Sequence, residues 1–337
     1  MMRLATWNIE WFEALFGAED TLLADSAWSR RHDVTRKTQA DAIAFVLDRL
    51  KADLIMIIEA PNTGSDRSTT RALEGFAQTY GLRQSKAVIG FPNHTHQEIA
   101  ALYDPDVLSA QHAPLHSALA PRFDGNFQLD VDVDDQPDTH VWSKPPLELL
   151  VQAKHQPELR LIGVHAKSKS PRDAKTEAEV TRISVANRRK QLAQCVWLRR
   201  RVDQMLEQRQ SVMVMGDLND GPGLDHYEKL FGRSSVEVVM GDPDTPETLL
   251  YDPHASAWTD PRQGFFMGTA RFYHREFRRY VNALLDYVMV SPDIRETLNP
   301  RWRLWHPFDD PKLYQDQAMR EALLAASDHF PVSVDLG

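Results

Sequence analysis

The chain alternates between two hydrophobic rhythms, and each change of rhythm marks a predicted element. Short apolar runs stop abruptly on a polar residue. LATWN ends the strand expected for Arg3 to Asn8, DLIMII delivers Glu59, and SVMVM runs into the turn Gly216-Asp217-Leu218-Asn219-Asp220-Gly221-Pro222. Unbroken Val, Ile and Met runs of this length suit buried strands. Gly frees the backbone for the turn and Pro stops the ladder. Elsewhere the period lengthens: Ala42, Ile43, Val46, Leu47 and Leu50 recur at helical spacing within Thr35–Leu50, and Thr69–Tyr80 reads the same way. Ala174–Gln208 is the longest helical stretch, with Val180, Ile183, Leu192, Val196, Val202 and Leu206 as its expected inner face. Its charges, among them Arg188, Arg189, Lys190 and Arg199 to Arg201, are expected on the solvated side.

Further strands are expected at Ser85–Ile89, Glu98–Tyr103, Leu147–Val151, Leu159–Val164 running into His165, Leu284–Val290 and Val332–Asp335. FQLDVDVD alternates apolar residues with acids and reads as a half-buried strand with an acidic outer face. A helix is expected near Leu224–Phe231. Ile9 to Arg36 holds no sustained period, and a loop that long inside a compact domain is functional or disordered. Strand–helix–strand succession predicts an α/β fold. Suspect polar residues stretch from position 8 to position 329, so both ends are expected to meet in a single domain spanning 1–337.

Composition narrows the class. Hydrophobic residues make up 42% and charged residues 26%, ordinary values for a soluble globular protein. No apolar run reaches the ~20 residues that span a bilayer, so no membrane partner is expected. The opening MMRLATWNIEWF enters a strand pattern at once, leaving no room for a signal peptide. Cys195 is the only cysteine, which excludes an internal disulfide and suits a reducing cytoplasm; its amphipathic surroundings predict a buried structural thiol. A formal net charge of −9 argues against a broad electrostatic grip on long duplexes. It leaves a phosphoester substrate open, because bound cations would discharge several of the acids.

The candidate chemistry lies at the strand ends. Asn8, Glu59, His165, and Asp217 with Asn219 follow apolar runs, Asp286 sits within LLDYVMV, and Asp328 with His329 precedes the last strand. Any one alone reads equally as a cap, a turn or a satisfied buried polar group. Together they imply more, since facing carboxylates repel one another unless a cation sits among them. Oxygen donors of this kind favour Mg²⁺ or Mn²⁺ over zinc.

WNIEWF, DLIMIIEAP, GVHAKSK, GDLND, LDYVMVS and SDHFPV, in this order, resemble the successive motifs of the endonuclease/exonuclease/phosphatase superfamily, the group of pancreatic deoxyribonuclease and the abasic-site endonucleases. The resemblance runs from residue 3 to residue 335. It implies a four-layer α-β-β-α sandwich of two mixed sheets, with the site at one end. It further implies Glu59 as principal metal ligand with Asn8 and Asp328 nearby, and Asp217 and Asn219 on the attacking water, the phosphate or a second metal. By the same resemblance His329 is held by Asp286, and His165 meets the phosphate with Glu98 as its partner. His165-Ala166-Lys167-Ser168-Lys169 resembles the HLKSK variant of some bacterial nucleases, which makes Lys167 and Lys169 candidate phosphate contacts beside the reading of two solvated loop lysines. Lys144 stands where many relatives carry arginine, keeping the charge without the bidentate geometry. Ala60-Pro61-Asn62 replaces a basic reader, which argues against minor-groove binding of the deoxyribonuclease kind.

Two segments have no counterpart in the resemblance, 10–33 and 300–326, and both are expected to wall the substrate mouth. Arg271, Phe272 and Tyr273 form either a stacking platform or an edge of the core. The expected activity is hydrolysis of a phosphodiester, with nucleic acid as substrate. The alternatives are a phosphomonoesterase, a hydrolase of small phosphoesters or lipid headgroups, and a non-catalytic binding scaffold of the same fold.

Overall fold

Two mixed β-sheets lie face to face, and the polar strand ends sit along one rim of the pair. The structure, a computed structural model, describes residues 1–93, 97–131, 138–171, 174–221, 232–258, 268–274 and 278–337. The first half of the chain forms β1 (Met2–Asn8), α1 (Arg36–Leu50), β2 (Leu54–Ala60), α2 (Thr69–Tyr80), β3 (Lys86–Ile89), β4 (Glu98–Tyr103), β5 (Leu108–His112), β6 (Phe127–Leu129), β7 (Asp138–His140), β8 (Leu147–Ala153) and β9 (Leu159–His165). The second half forms α3 (Glu177–Glu207), β10 (Ser211–Asp217), α4 (Ser235–Met240), α5 (Pro253–Trp258), β11 (Ala270–His274), β12 (Arg279–Ala283) and β13 (Asp286–Val290). It closes with α6 (Pro292–Thr297), β14 (Arg301–Leu304), α7 (Pro311–Gln315), α8 (Gln317–Ala326) and β15 (Val332–Leu336). The expected helix at 224–231 and the later acids of FQLDVDVD lie outside the described residues.

One sheet has the order β14-β15-β1-β2-β4-β3 and the other β13-β10-β9-β8-β5. β1 pairs in parallel with β2, and β9 with β10, while the other pairings are antiparallel. The apolar runs conceal a strict alternation, because both faces of each sheet are covered. Leu54, Met56 and Ile58 of β2 point inward against Met213 and Met215 of β10. Ile55 and Ile57 point outward against α1 and α2, and Val212 and Val214 outward against α3. The layers therefore run helix, sheet, sheet, helix, as the motifs imply. Among the described residues no helix is long and apolar enough to cross a membrane.

α3 departs from its expected orientation. Thr176 and Glu179 close its start with a reciprocal capping box. Its buried face carries Arg188, Gln191, Gln194, Cys195, Leu198, Arg201, Val202 and Met205, whereas Val180, Ile183, Leu192, Val196 and Leu206 are only partly covered. Several of the charges thought solvated are structural. Arg201 is fully buried, 3.1 Å from Glu148, and donates to the carbonyls of Ala120 and Pro121. Arg199 caps the carbonyls of Met240 and Thr248. Apolar periodicity could not reveal this face, because its polar members are satisfied by loop carbonyls supplied by distant segments. Cys195 is buried as expected, and burial pushes its thiol up to about 12.

Candidate active site

The two sheets converge at the rim where β1, β2, β9 and β10 end, and an opening of about 620 Å³ lies there. Register alone brings part of the set together: Asp217 is the lateral neighbour of His165 on one side and of Asp286 on the other. Gly216 permits this. Its φ of +136° suits glycine, and a Cβ there would lie 2.1 Å from the Val164 carbonyl oxygen. Asn8, at the end of β1, reaches across the sandwich and donates from Nδ2 to Asp217 Oδ2 at 3.0 Å. Glu59 does not follow β2 as expected but lies within it, where the β2–β4 register shifts between Ile58 and Ala60. That irregularity re-aims its side chain into the cavity.

Glu59, Trp11 and Asn219 all adopt left-handed backbone, with φ of 65°, 59° and 52°. Non-glycine residues held there store strain, which gathers at functional sites. The backbone N–H of Asn219 donates to Asp217 Oδ1 at 2.7 Å, and its Nδ2 donates to the carbonyl of Ala166 at 3.1 Å. Gln191 of α3 clamps the same loops from behind, donating to the carbonyls of Lys167, Leu218 and Asn219.

The histidines have opposite partners. His329 Nδ1 lies 2.7 Å from Asp286 Oδ2. Burial alone would lower the His329 pKa, but the Asp286 carboxylate overrides it and holds the imidazole well above its ordinary value. His165 Nδ1 instead lies 3.1 Å from the Lys144 ammonium, and its Nε2 lies 3.7 Å from Asp217. The expected pairing of His165 with Glu98 is therefore corrected. Glu98 faces away, accepting from the backbone and side chain of Asn93 and from the backbone of Thr63, and burial raises it to about 7. Lys144 also donates to Gln97 Oε1 at 2.7 Å, and Gln97 Nε2 donates to Glu59 Oε2 at 2.5 Å. A hydrogen-bonded chain thus links Glu59 of one sheet to His165 of the other.

Burial is the largest cause of three raised carboxylates here. Asp217 stands at about 7, helped up by the Asp286 charge, and Glu10 at about 7, helped up by Asp328. Glu59 is raised by burial and partly offset by Lys144. Asn8 Oδ1, Asp286 Oδ1 and Asp328 Oδ1 are buried without a hydrogen-bond partner among the described residues. Ligand atoms of Asp217, Asp286 and His329 lie within 4.8 Å of one another, close enough to hold an ion. However, His329 Nδ1 is already committed to Asp286, which reads better as a proton-holding pair.

The remaining candidates divide. Lys144 and Lys167 line the cavity, as does Lys190 of α3. Lys169 does not line it; its Nζ lies 2.5 Å from the fully buried Asp220, which also accepts from the backbone of Ser235. That lysine braces the loop through Asp220. The segment 10–33 does wall the opening: Glu10, Trp11, Glu13 and Arg30 line it, with Arg30 5.1 Å over the Trp11 ring and 3.1 Å from Glu13, while Arg31 pairs with Glu10. The segment 300–326 does not. β14 extends the sheet edge, and Met319, Leu323 and Ala326 of α8 enter the outer core. Sequence reasoning missed Glu10 and Gln97. Glu10 was findable, since it lies two residues beyond Asn8 and inside a quoted motif; Gln97 was not, since nothing local distinguishes it from a turn glutamine.

No curated protein matches the chain by sequence. Among solved structures, TDP2 from C. elegans is 15% identical with a TM-score of 0.50, covering 99% of this chain and 74% of that one. The 3′ phosphatase NExo from Neisseria, solved as a variant bound to product DNA hairpin, is 15% identical with a TM-score of 0.50 and full coverage of both chains at 100%. An AP endonuclease from Archaeoglobus fulgidus is 12% identical with a TM-score of 0.49, covering 100% of this chain and 99% of that one. At these identities the likeness is one of fold. The sequence profile of the Endonuclease/Exonuclease/phosphatase family matches residues 5–329, nearly the whole chain. The chain belongs to that family and is a hydrolase of phosphoester bonds.

Proposed function

We propose that this hydrolase is a phosphodiesterase dependent on Mg²⁺ or Mn²⁺, with nucleic acid, DNA or RNA, as its substrate. The carrying observation is the meeting, in one cavity, of a carboxylate-backed imidazole with the buried Asn8 and Asp328 Oδ1 atoms, which accept no hydrogen bond among the described residues. Orphaned oxygens beside carboxylates raised chiefly by burial are what a hard cation would satisfy. Glu59, Asn8 and Asp328 would hold it, with Glu10 alongside. When bound, the cation supplies charge neutralisation for the phosphoryl group.

The other roles follow from the protein's own atoms. Asp217, raised to about 7 and steadied by Asn219, is suited to take a proton from water at neutral pH. His329, kept cationic by Asp286, would meet the charge that builds on the phosphoryl oxygens. An ammonium only donates, so Lys144 makes His165 Nδ1 an acceptor and leaves the proton on Nε2. His165 is then a neutral N–H donor to the phosphate, with Lys144 and Lys167 supplying positive charge at the cavity wall. NExo, described as bound to product DNA hairpin, shares the fold and supports a nucleic-acid substrate. The buried lone thiol suits a reducing compartment such as the cytoplasm.

The Trp11–Arg30 wall and the net charge of −9 favour one rival, a phosphomonoesterase or small-phosphoester hydrolase. A panel separates the two: single- and double-stranded DNA, RNA, abasic duplex, nucleotides and inositol phosphates, each with Mg²⁺, Mn²⁺ or EDTA. Internal or terminal phosphodiester cleavage that stops in EDTA is the expected result. Turnover confined to monoesters would replace this reading with the rival, and no turnover of any member would favour an idle scaffold.

A further inference from the structure

The ribbon of β11 and β12 leaves the sandwich directly beside the catalytic loop. Ala270 bridges His329, and the Arg271 N–H donates to the Asp328 carbonyl at 2.7 Å. Strand alternation places Arg271 and Tyr273 on one face, opposite Asn282 and Tyr280 of the partner strand. Tyr273 and Tyr280 are 51% and 57% exposed, and their ring centroids lie 5.5 Å apart at an angle of 75°. The Arg271 guanidinium sits 4.2 Å from the Tyr280 centroid and 5.0 Å from that of Phe308, itself 38% exposed. The result is one continuous aromatic and cationic surface built from two separate segments. Phe272 takes the opposite face and is half-buried.

Water-exposed aromatic rings in this number, on one face, are a cost unless something covers them. Arg278 and Arg279 are exposed at the outer end of the same ribbon, so it concentrates positive charge within a chain of net charge −9. A purely apolar partner would desolvate these guanidinium groups, whereas a strand of nucleotides offers flat bases and phosphates together. Only unpaired bases present their faces, because duplex bases are already stacked. We propose that this face is a stacking platform for unpaired bases flanking the scissile phosphate, with the arginines meeting the neighbouring phosphates. The assignment of the occupant rests on the nuclease reading.

The test is fluorescence anisotropy of labelled oligothymidylate, about 20 nucleotides to exceed one platform, and of a duplex of the same length, in EDTA to prevent cutting. The full chain is compared with Tyr273→Ala/Tyr280→Ala and with Tyr273→Phe/Tyr280→Phe. The expected result is a loss of single-strand affinity of about tenfold or more in the alanine pair, retention in the phenylalanine pair, and unchanged duplex affinity. Equal single-strand binding by all three proteins would overturn the platform. So would a concentration-dependent dimer of the wild type that the alanine pair abolishes, since a second copy would then be the occupant. Hydrolysis is read separately. Tyrosine-dependent strand binding without any nucleic-acid cleavage would sink the nuclease reading and keep the platform, while cleavage and binding both indifferent to the tyrosines would sink the platform alone.

Discussion

His329 and His165 face the same cavity from the two flanks of Asp217, yet the atom behind each ring is of opposite sign. Behind His329 stands a buried carboxylate; behind His165 stands an ammonium. The difference teaches that a residue's type does not set its role here, because the second ring nitrogen is governed by what it touches. In the proposed reading His329 serves as a cation and His165 as an N–H donor. One can neutralise charge, while the other can only orient it.

The sharpest break comes from His329→Ala, with an expected fall in kcat of about 10³-fold at saturating Mg²⁺ in a protein that still folds. His165→Ala is expected to cost less, about 10²-fold. Glutamine substitutions separate the two positions further. A neutral amide N–H replaces a neutral imidazole N–H, so His165→Gln is expected to recover part of the loss, whereas His329→Gln recovers none; equal recovery at both sites would erase the proposed distinction. Asp286→Asn is expected to cost about 10–100-fold. It should also move the alkaline limb of the kcat profile toward lower pH, because the limb reports loss of the His329 proton and the carboxylate is what raises that pKa.

A second contrast is between the acids and the cation they await. Glu10, Glu59 and Asp217 are raised above their unfolded values, so the unfolded chain releases these protons first, and the metal-free protein loses stability as pH climbs from about 4 toward 7. A divalent cation needs the deprotonated oxygens. The stabilisation by Mg²⁺ or Mn²⁺, read as a rise in Tm, is therefore expected to grow from pH 5 to pH 8, reaching about 2.7 kcal/mol at a hundredfold excess over Kd. A gain of constant size across that range would argue that the cation binds elsewhere.

Much of this was legible in the sequence, and the reason is local. Asn8, Asp217 and His165 end buried strands and Asn219 follows two residues on, so the apolar run itself delivers them to the rim, and parallel pairing of β1 with β2 and β9 with β10 aligns the ends. What escaped depends on contacts between distant segments. The partner of His165 is fixed by how Lys144 enters the cavity before β8, the polar face of α3 by loop carbonyls, and the core role of 319–326 by packing on α1. The two unmatched segments looked alike, both without a counterpart in the resemblance and both expected to wall the substrate mouth. Both send apolar residues into the outer core, Phe12, Leu15 and Phe16 from the first and Met319, Leu323 and Ala326 from the second, but only the first also turns Glu10, Trp11, Glu13 and Arg30 toward the opening.

The smallest effect expected, and the one that isolates the comparison best, is that of Lys144→Met. It removes the donor behind His165 while keeping the length of the stem, and it cuts the chain from Gln97 to the imidazole. With the ammonium gone, Nδ1 loses the donor that makes it an acceptor, and the Nδ1–H tautomer becomes more accessible against the Asp217 carboxylate 3.7 Å from Nε2. The expected outcome is a fall in kcat of about tenfold or less, and ¹⁵N chemical shifts of His165 that move toward the Nδ1–H form while those of His329 stay put. Lys144→Arg keeps a donor-only cation and is expected to retain the Nε2–H shift. If Lys144→Met lowers activity but leaves the His165 tautomer in place, Lys144 acts through its charge on the substrate alone, and the asymmetry between the two histidines lies elsewhere.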